Sequence, residues 1–356
     1  MPYINDRDNQ NLKRLNDILL NMPVFVRPYF NSISQRTSTN TRLGYAYDIQ
    51  MFFRYLFECH EDFCKLDGYE KVTAQMLEDL KTDDIEYYMT WLSMDHDTEQ
   101  IGKNKAEGLG RTAIKRKISA LSALYKNLYN RDIIHRNVML SVDRPKLADH
   151  EIIRMNPSEV ADLIDEAETG DNLSPRQQKL YNTLNAGPRD TAILTLLLDT
   201  GIRVSELVGI DLDHFDWSET SVRIVRKGGK EDRIYFGDEV TKALLDYKKL
   251  RDVMKPDQIK PGDEKAFFIS KNMQRITTRS VERLVKKHAR TITTKHITPH
   301  KCRSTYGTNL YKETGDVLLV SKQLGHTTPT VTAAHYTAMD EERKIQVKDK
   351  VKLRDT

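Results

Sequence analysis

The chain has 356 residues, of which 38% are hydrophobic and 30% charged; this excludes disordered and fibrous classes and favours two globular units. Its formal net charge of +4 points only weakly to a polyanionic partner. The longest mostly apolar stretch, near residues 192–198, is far shorter than the roughly 18 residues that a membrane span requires.

The cysteines and the amino terminus indicate the cellular compartment. Cys59, Cys64 and Cys302 are too few for a disulfide framework and fit a reducing environment. The polar opening segment MPYINDRDNQ lacks the apolar core of a secretory signal. We therefore expect a cytoplasmic protein. Cys59, His60 and Cys64 lack both a fourth ligand and standard zinc spacing, so no metal site is predicted.

Residues 1–145 predict a helical domain, because apolar residues recur at helical spacing in four segments. Three basic residues, Lys115, Arg116 and Lys117, open the fourth helix, where positive charge opposes the helix dipole. We therefore infer that they serve something other than helix stability, and DNA phosphate is a candidate partner. The four apolar stripes are Leu12, Leu15, Leu19 and Met22; Tyr45, Ile49, Phe52, Phe53 and Leu56; Ile85, Tyr88, Met89 and Leu92; and Ile114, Ile118, Leu121, Tyr125 and Leu128.

Residues 146–155 predict a linker, because they are rich in charge and lack a periodic apolar pattern. A second domain, 156–356, opens with a strong helix start. There Asn156 is the N-cap, Pro157 the first helical residue and Glu159 the capping-box acid.

The period then changes from helical to alternating around the segment KGGK. Val222 and Ile224 before it, with Ile234 and Phe236 after it, predict a β-hairpin, and residues 265–270 a third strand. We expect a mainly α domain with a small antiparallel sheet. The polar stretch 170–187 predicts a loop with one short helix, and further helices are predicted at 189–199, 240–250, 278–290, 298–313, 317–324 and from 340 onward.

Several residue types suited to phosphate chemistry stand at helix ends. Arg203 follows an apolar helix and a glycine break, and Glu206 one turn later could orient it, although a purely structural pair is equally compatible. His300 and Arg303 share one face of the first turns of a helix, where both can address one anion. Gly325 suits a left-handed helix end and projects the next residue, His326, from a sharp turn.

In chain order, Arg203, Lys227, His300, Arg303, His326 and Tyr336 resemble the active site of the tyrosine recombinase family, also called phage-type integrases. The segments GIRVSELVGIDL, RKGGKEDRIYF, TPHKCRSTYGTNLY and QLGH carry the resemblance, in the family's order. It implies a helical core-binding (SAM-like) domain and a catalytic domain that together form a C-shaped DNA clamp. Cys302 stands where most members have leucine, which suggests an oxidation-sensitive thiol.

The resemblance also implies a role for each site residue. Tyr336 would be the nucleophile that forms a 3′-phosphotyrosyl bond, and no cofactor or ATP is needed because that bond conserves the free energy for religation. Arg203, Arg303 and His326 would stabilise the phosphate, Lys227 would protonate the leaving 5′ oxygen, and His300 would act as base or proton shuttle. Lys230 competes for the lysine role or contacts DNA.

A basic helix face extends the predicted DNA surface. It could enter a major groove. Its members are Arg279, Arg283, Lys286, Lys287 and Arg290.

Within the family, the chain resembles the Xer type of chromosome dimer resolvase, which works through a Holliday junction. The resemblance implies a homotetramer on a double-stranded DNA recombination site, with the C-terminal tail exchanged between neighbours. Alternatives are an integrase or excisionase of a mobile element and, more remotely, a type IB topoisomerase or a noncatalytic DNA-binding regulator.

Overall fold

The computed structural model describes residues 2–94, 108–145, 153–226 and 228–325. The chain divides into two compact units, Met1–His150 and Glu151–Thr356. Across these described ranges, no helix combines the length and apolar character needed to cross a bilayer.

The first unit packs its helices around one apolar core, as the four apolar stripes predict. All five stripe residues of its last helix are buried, from Ile114 to Leu128. Ser38 caps the third helix by accepting a hydrogen bond from the Thr41 amide at 3.2 Å. The helices are α1 (Pro2–Leu20), α2 (Arg27–Ser32), α3 (Thr39–Cys59), α4 (Ala74–Asp79), α5 (Thr82–Ser93) and α6 (Arg111–Asn130).

The second unit is mainly α with a small sheet, which confirms the predicted fold class. Its first helix begins at the predicted capping box of Asn156 and Glu159, and one short helix lies in the polar stretch 170–187. Its helices are α7 (Pro157–Thr169), α8 (Pro175–Thr183), α9 (Gly187–Thr200), α10 (Val204–Leu207), α11 (Asp238–Asp252), α12 (Thr278–Ile292), α13 (Pro299–Thr314) and α14 (Val317–Gln323). The helix predicted from 340 onward lies outside the described residues.

The sheet has three antiparallel strands in sequential order, β1 (Phe215–Asp216), β2 (Ser221–Val225) and β3 (Glu231–Tyr235). The predicted hairpin is confirmed, with Val222 opposite Ile234. The third strand predicted at 265–270 is wrong, because that segment makes only isolated bridges. Within it, the consecutive residues Phe267 and Phe268 are both buried, so the segment packs into the core and does not alternate between two faces.

Helix α9 is buried along most of its length and packs against α7, α11 and α13. It ends at Gly201, whose φ of +58° is left-handed. A Cβ at this glycine would lie 2.5 Å from the ring of Tyr306, so both the backbone angle and the space require glycine. This sharp end directs the chain into Arg203 and α10.

Candidate active site

Arg203 is held by Glu206, as its spacing suggests. Arg203 stands at the N-cap of α10, where its backbone amide donates to Glu206 Oε2 at 2.9 Å. Its Nη1 donates to Glu206 Oε1 at 3.0 Å. The Glu206 side chain is only 2% exposed, whereas that of Arg203 is 30% exposed. A buried carboxylate therefore orients a guanidinium that still reaches solvent.

Arg303 comes from a different part of the chain. Thr298 caps α13 by accepting from the Lys301 amide at 3.4 Å, which sets His300 in the first turn and Arg303 one turn later. Arg303 is 5% exposed, and its Nη1 donates to the Gly201 carbonyl at 2.5 Å. His300 is exposed. The first-turn histidine thus faces outward from a helix whose arginine is anchored at the end of α9.

The two arginines converge on the end of α14. Arg203 Nη2 donates to the Gly325 carbonyl at 2.9 Å, and Arg303 Nη2 donates to the carbonyl of Leu324. These are consecutive carbonyls at the negative end of a helix. Two guanidinium groups about a hundred positions apart in sequence are therefore brought side by side.

Gly325 ends α14 in the left-handed conformation, with φ of +57°, as predicted. His326 follows it directly in the sequence. Lys227, His326 and Tyr336 lie outside the described residues, so their roles stay predictions.

Arg226, which sequence reasoning gave no role, also belongs to this cluster. It is buried, and it hydrogen-bonds Glu206, Asp232 and the Gln323 carbonyl. In the sequence it is one member of a charge run, and nothing local distinguishes it.

The basic start of α6 has a structural partner that the sequence did not reveal. Asp48 on α3 is 0% exposed. Arg116 donates to its two oxygens at 2.5 and 2.8 Å, and Lys117 donates to Oδ1 at 2.9 Å. Lys117 is itself buried. These two cations neutralise a buried carboxylate, and Lys115 is half-buried, so its predicted contact with DNA stays a prediction.

Helix α12 presents the predicted basic face, except that Lys287 pairs with a buried carboxylate. Arg279, Arg283 and Arg290 are exposed and Lys286 is half-buried, while the opposite side packs into the core. Lys287 instead donates to Asp190 at 2.9 Å and lies 4.9 Å from the centre of the Tyr181 ring. Lys230 is exposed beside the hairpin turn.

Asp190 has further partners. His288 Nε2 lies 3.0 Å from its Oδ2, and Arg189 donates to Oδ1 at 2.7 Å. Burial opposes ionisation, yet these groups together hold the pKa of Asp190 well below its ordinary value. Lys287 therefore belongs to a buried ionic cluster.

The expectation of a reactive Cys302 is wrong. The side chain is 0% exposed, and burial raises the pKa of its thiol to about 12. We expect iodoacetamide to modify the exposed Cys59 and Cys64 of the folded protein and to leave Cys302 unmodified, because only an accessible thiolate reacts. Peptide mass spectrometry measures this directly. Modification of Cys302 under native conditions would contradict the buried placement.

Comparison with known proteins identifies the family. Residues 154–343, more than half of the chain, match the phage integrase family, and the chain belongs to that family. Members of this family are tyrosine recombinases, which are enzymes that exchange DNA strands.

Relatives with similar sequences indicate the type of tyrosine recombinase. Tyrosine recombinase XerC of Caldanaerobacter subterraneus subsp. tengcongensis is 31% identical over 325 residues, which cover 88% of this chain and 81% of that protein. Tyrosine recombinase XerS of Lactococcus lactis subsp. cremoris is 30% identical over 357 residues, covering 94% and 96%. The chain is a site-specific tyrosine recombinase of the Xer type.

A solved structure supports the fold. The Tn1549 transposon integrase in complex with circular intermediate DNA matches with a TM-score of 0.60 and 20% identity, over 90% of this chain and 99% of that chain.

Proposed function

We propose that this recombinase cuts and rejoins DNA through a 3′-phosphotyrosyl bond on Tyr336 and exchanges strands through a Holliday junction. The observation that carries the proposal is the convergence of Arg203 and Arg303 on the carbonyls of residues 324 and 325. It sets two permanently charged guanidinium groups beside the residue that precedes His326.

The arginine pair suits the transition state of phosphoryl transfer. Negative charge accumulates on the equatorial oxygens of the pentacoordinate phosphorus, and positioned cations stabilise it. A guanidinium remains charged at any working pH and binds phosphate oxygens in pairs. Glu206 and the carbonyls hold both groups before DNA arrives, so little reorganisation is needed during the reaction.

The remaining steps use residues assigned by the resemblance. The Tyr336 oxygen attacks phosphorus, the 5′ oxygen leaves with a proton from Lys227, and His300 receives or relays the proton of the tyrosine. His326 donates a hydrogen bond to a non-bridging oxygen. Religation reverses these transfers with the 5′ hydroxyl of the partner strand.

Exposed and half-buried cations would contact the DNA. We propose Lys230 and, on α12, Arg279, Arg283, Lys286 and Arg290, with Lys115 in the first unit, so that each unit would contact the duplex. Lys287, Arg116 and Lys117 serve the buried acids described above. Binding by such contacts weakens steeply with ionic strength. Four protomers would assemble on paired sites and exchange C-terminal tails.

For the biological role we favour chromosome dimer resolution, because XerC and XerS relatives align over most of the chain. The fold similarity to a transposon integrase supports a second candidate, integration or excision of a mobile element. Mapping the bound and cleaved DNA separates them: a single chromosomal site supports resolution, and the ends of an element support integration.

The nucleophile is tested with a nicked suicide substrate of the mapped site. We expect the wild-type protein to become covalently attached to the DNA and Tyr336→Phe to form no adduct, because the attacking oxygen is missing. Denaturing gel electrophoresis separates the adduct from unreacted protein.

Tyr306→Phe is the matched control. Tyr306 lies beside Gly201. Burial and, to a smaller extent, the negative charge of Asp199 raise the pKa of its hydroxyl. We expect this variant to form the adduct normally. Adduct formation by Tyr336→Phe would refute the assignment. Relaxation of a supercoiled plasmid that lacks the recombination site would indicate a topoisomerase instead.

A further inference from the structure

Arg226 connects more parts of the site than its place in a charge run suggests. It follows strand β2 and directly precedes Lys227. Its side chain is only 9% exposed. Nη1 donates to Glu206 at 3.2 Å, Nε to Asp232 at 3.0 Å and Nη2 to the Gln323 carbonyl at 2.9 Å. A buried guanidinium with all three nitrogens engaged is fixed in one orientation.

The first of these contacts ties Arg226 to Arg203. Glu206 Oε2 accepts hydrogen bonds from both Arg226 Nη1 and the Arg203 amide. Its other oxygen accepts from the Arg203 guanidinium. One buried carboxylate therefore sets the positions of both arginines.

The second contact ties Arg226 to the far side of the hairpin. Asp232 lies on β3, and the Arg226 amide donates to the Lys230 carbonyl at 2.8 Å. The glycines of the turn, Gly228 and Gly229, have φ of +90° and +84°, and a Cβ on either would meet open space. The contacts of Arg226 therefore anchor both strands at the base of this turn.

The third contact reaches the end of α14. Besides the bond to Gln323, the Arg226 guanidinium packs on Gly325, where a Cβ would lie 3.0 Å from Cζ. The base of the hairpin and the last residue before His326 are thus held together by one side chain.

We propose that Arg226 is a positioning residue for strand transfer, which anchors the base of the hairpin, directly before Lys227 in the sequence, to Glu206 and the end of α14. The inference rests on the proposed function, in which Lys227 protonates the leaving 5′ oxygen. Arg226 acts through Lys227 and does not itself contact the reacting atoms.

The test compares two leaving groups in the suicide substrate, the natural 5′ oxygen and a bridging 5′ sulfur. A thiol with a pKa of about 8.5 leaves without a proton, whereas an alkoxide needs the general acid. Arg226→Lys keeps the charge but loses the three-way fork. We expect about 100-fold slower adduct formation with oxygen and less than about a 3-fold change with sulfur.

Two controls accompany this variant. Arg223→Lys changes an exposed arginine of the same strand and should react like the wild type on both substrates. Lys227→Ala should show the same selective rescue by sulfur. If Arg226→Lys folds poorly by thermal melting, Asp232→Asn removes a single arm at a side chain that is 43% exposed, with an expected loss of about 10-fold on oxygen alone.

The outcomes separate the inference from the function on which it rests. Selective rescue of the Arg226 variant by sulfur supports the positioning role. Equal rate losses of the Arg226 variant on both substrates, or a wild-type rate of the variant with oxygen, overturn the positioning role. The proposed function still stands in either case if the wild-type protein forms the adduct. Absence of a wild-type adduct, or no rescue of Lys227→Ala, overturns the proposed function and this inference with it.

Discussion

Arg203→Ala is expected to slow DNA cleavage by about 10³-fold or more, because it removes a cation that we propose stabilises the transition state of phosphoryl transfer. The loss should appear in single-turnover adduct formation on the suicide substrate. Folding should survive, since Glu206 keeps Arg226 as a partner at 3.2 Å.

The matched control is Arg223→Ala, which removes a half-exposed arginine from β2 and should leave the cleavage rate within about 3-fold of the wild type. This comparison separates the loss of a positioned cation from a general loss of positive charge. Cleavage by Arg203→Ala at the wild-type rate would disprove the proposed role of Arg203 in stabilising the phosphate. Loss of the cooperative melting transition would contradict the expectation that the Glu206–Arg226 pair keeps the variant folded.

Asp48→Asn is expected to lower the free energy of unfolding of the first unit by about 3–5 kcal/mol, because it leaves the buried Lys117 ammonium without its counter-charge. The Asp48 side chain is 0% exposed and that of Lys117 is 8% exposed. Urea unfolding at neutral pH measures the change. DNA cleavage per folded molecule should change far less, since no proposed reacting group contacts Asp48.

The double variant Asp48→Asn with Lys117→Met provides the decisive comparison. Removing both charges should restore much of the lost stability, because neither is left buried alone. Asp67→Asn, which breaks the exposed pair with Lys71, should cost less than about 1 kcal/mol. Equal costs for Asp48→Asn and Asp67→Asn would show that the buried pair has no special weight.

The helices could be predicted because their apolar residues repeat at helical spacing. In α6, the buried face is predicted by the spacing of Ile114, Ile118 and Leu121, and all three are buried in the structure. The hairpin was predictable from its alternation around two glycines. Strand β1 has only two residues, too few for any period. Residues 265–270 look like a strand because a short apolar run does not say whether it forms a sheet or fills a core.

The candidate site was predictable where its residues stand in recognisable segments. Arg203 and Arg303 are found that way, and the structure brings them to neighbouring carbonyls. The partners of Asp48 are 68 and 69 positions away, and those of Arg226 come from three separate elements. Neither set leaves a local pattern, so only the folded chain reveals them.

The end of α14 is gripped through its backbone. Arg203, Arg226 and Arg303 bind the main-chain oxygens of residues 325, 323 and 324, so none of these bonds depends on which side chain stands there. The exposed Gln323 can therefore be substituted during evolution with little effect on these hydrogen bonds. Gly325 cannot, since a methyl group would press on the Arg226 guanidinium. Homologues that vary freely at the first position and hardly at the second would carry that signature.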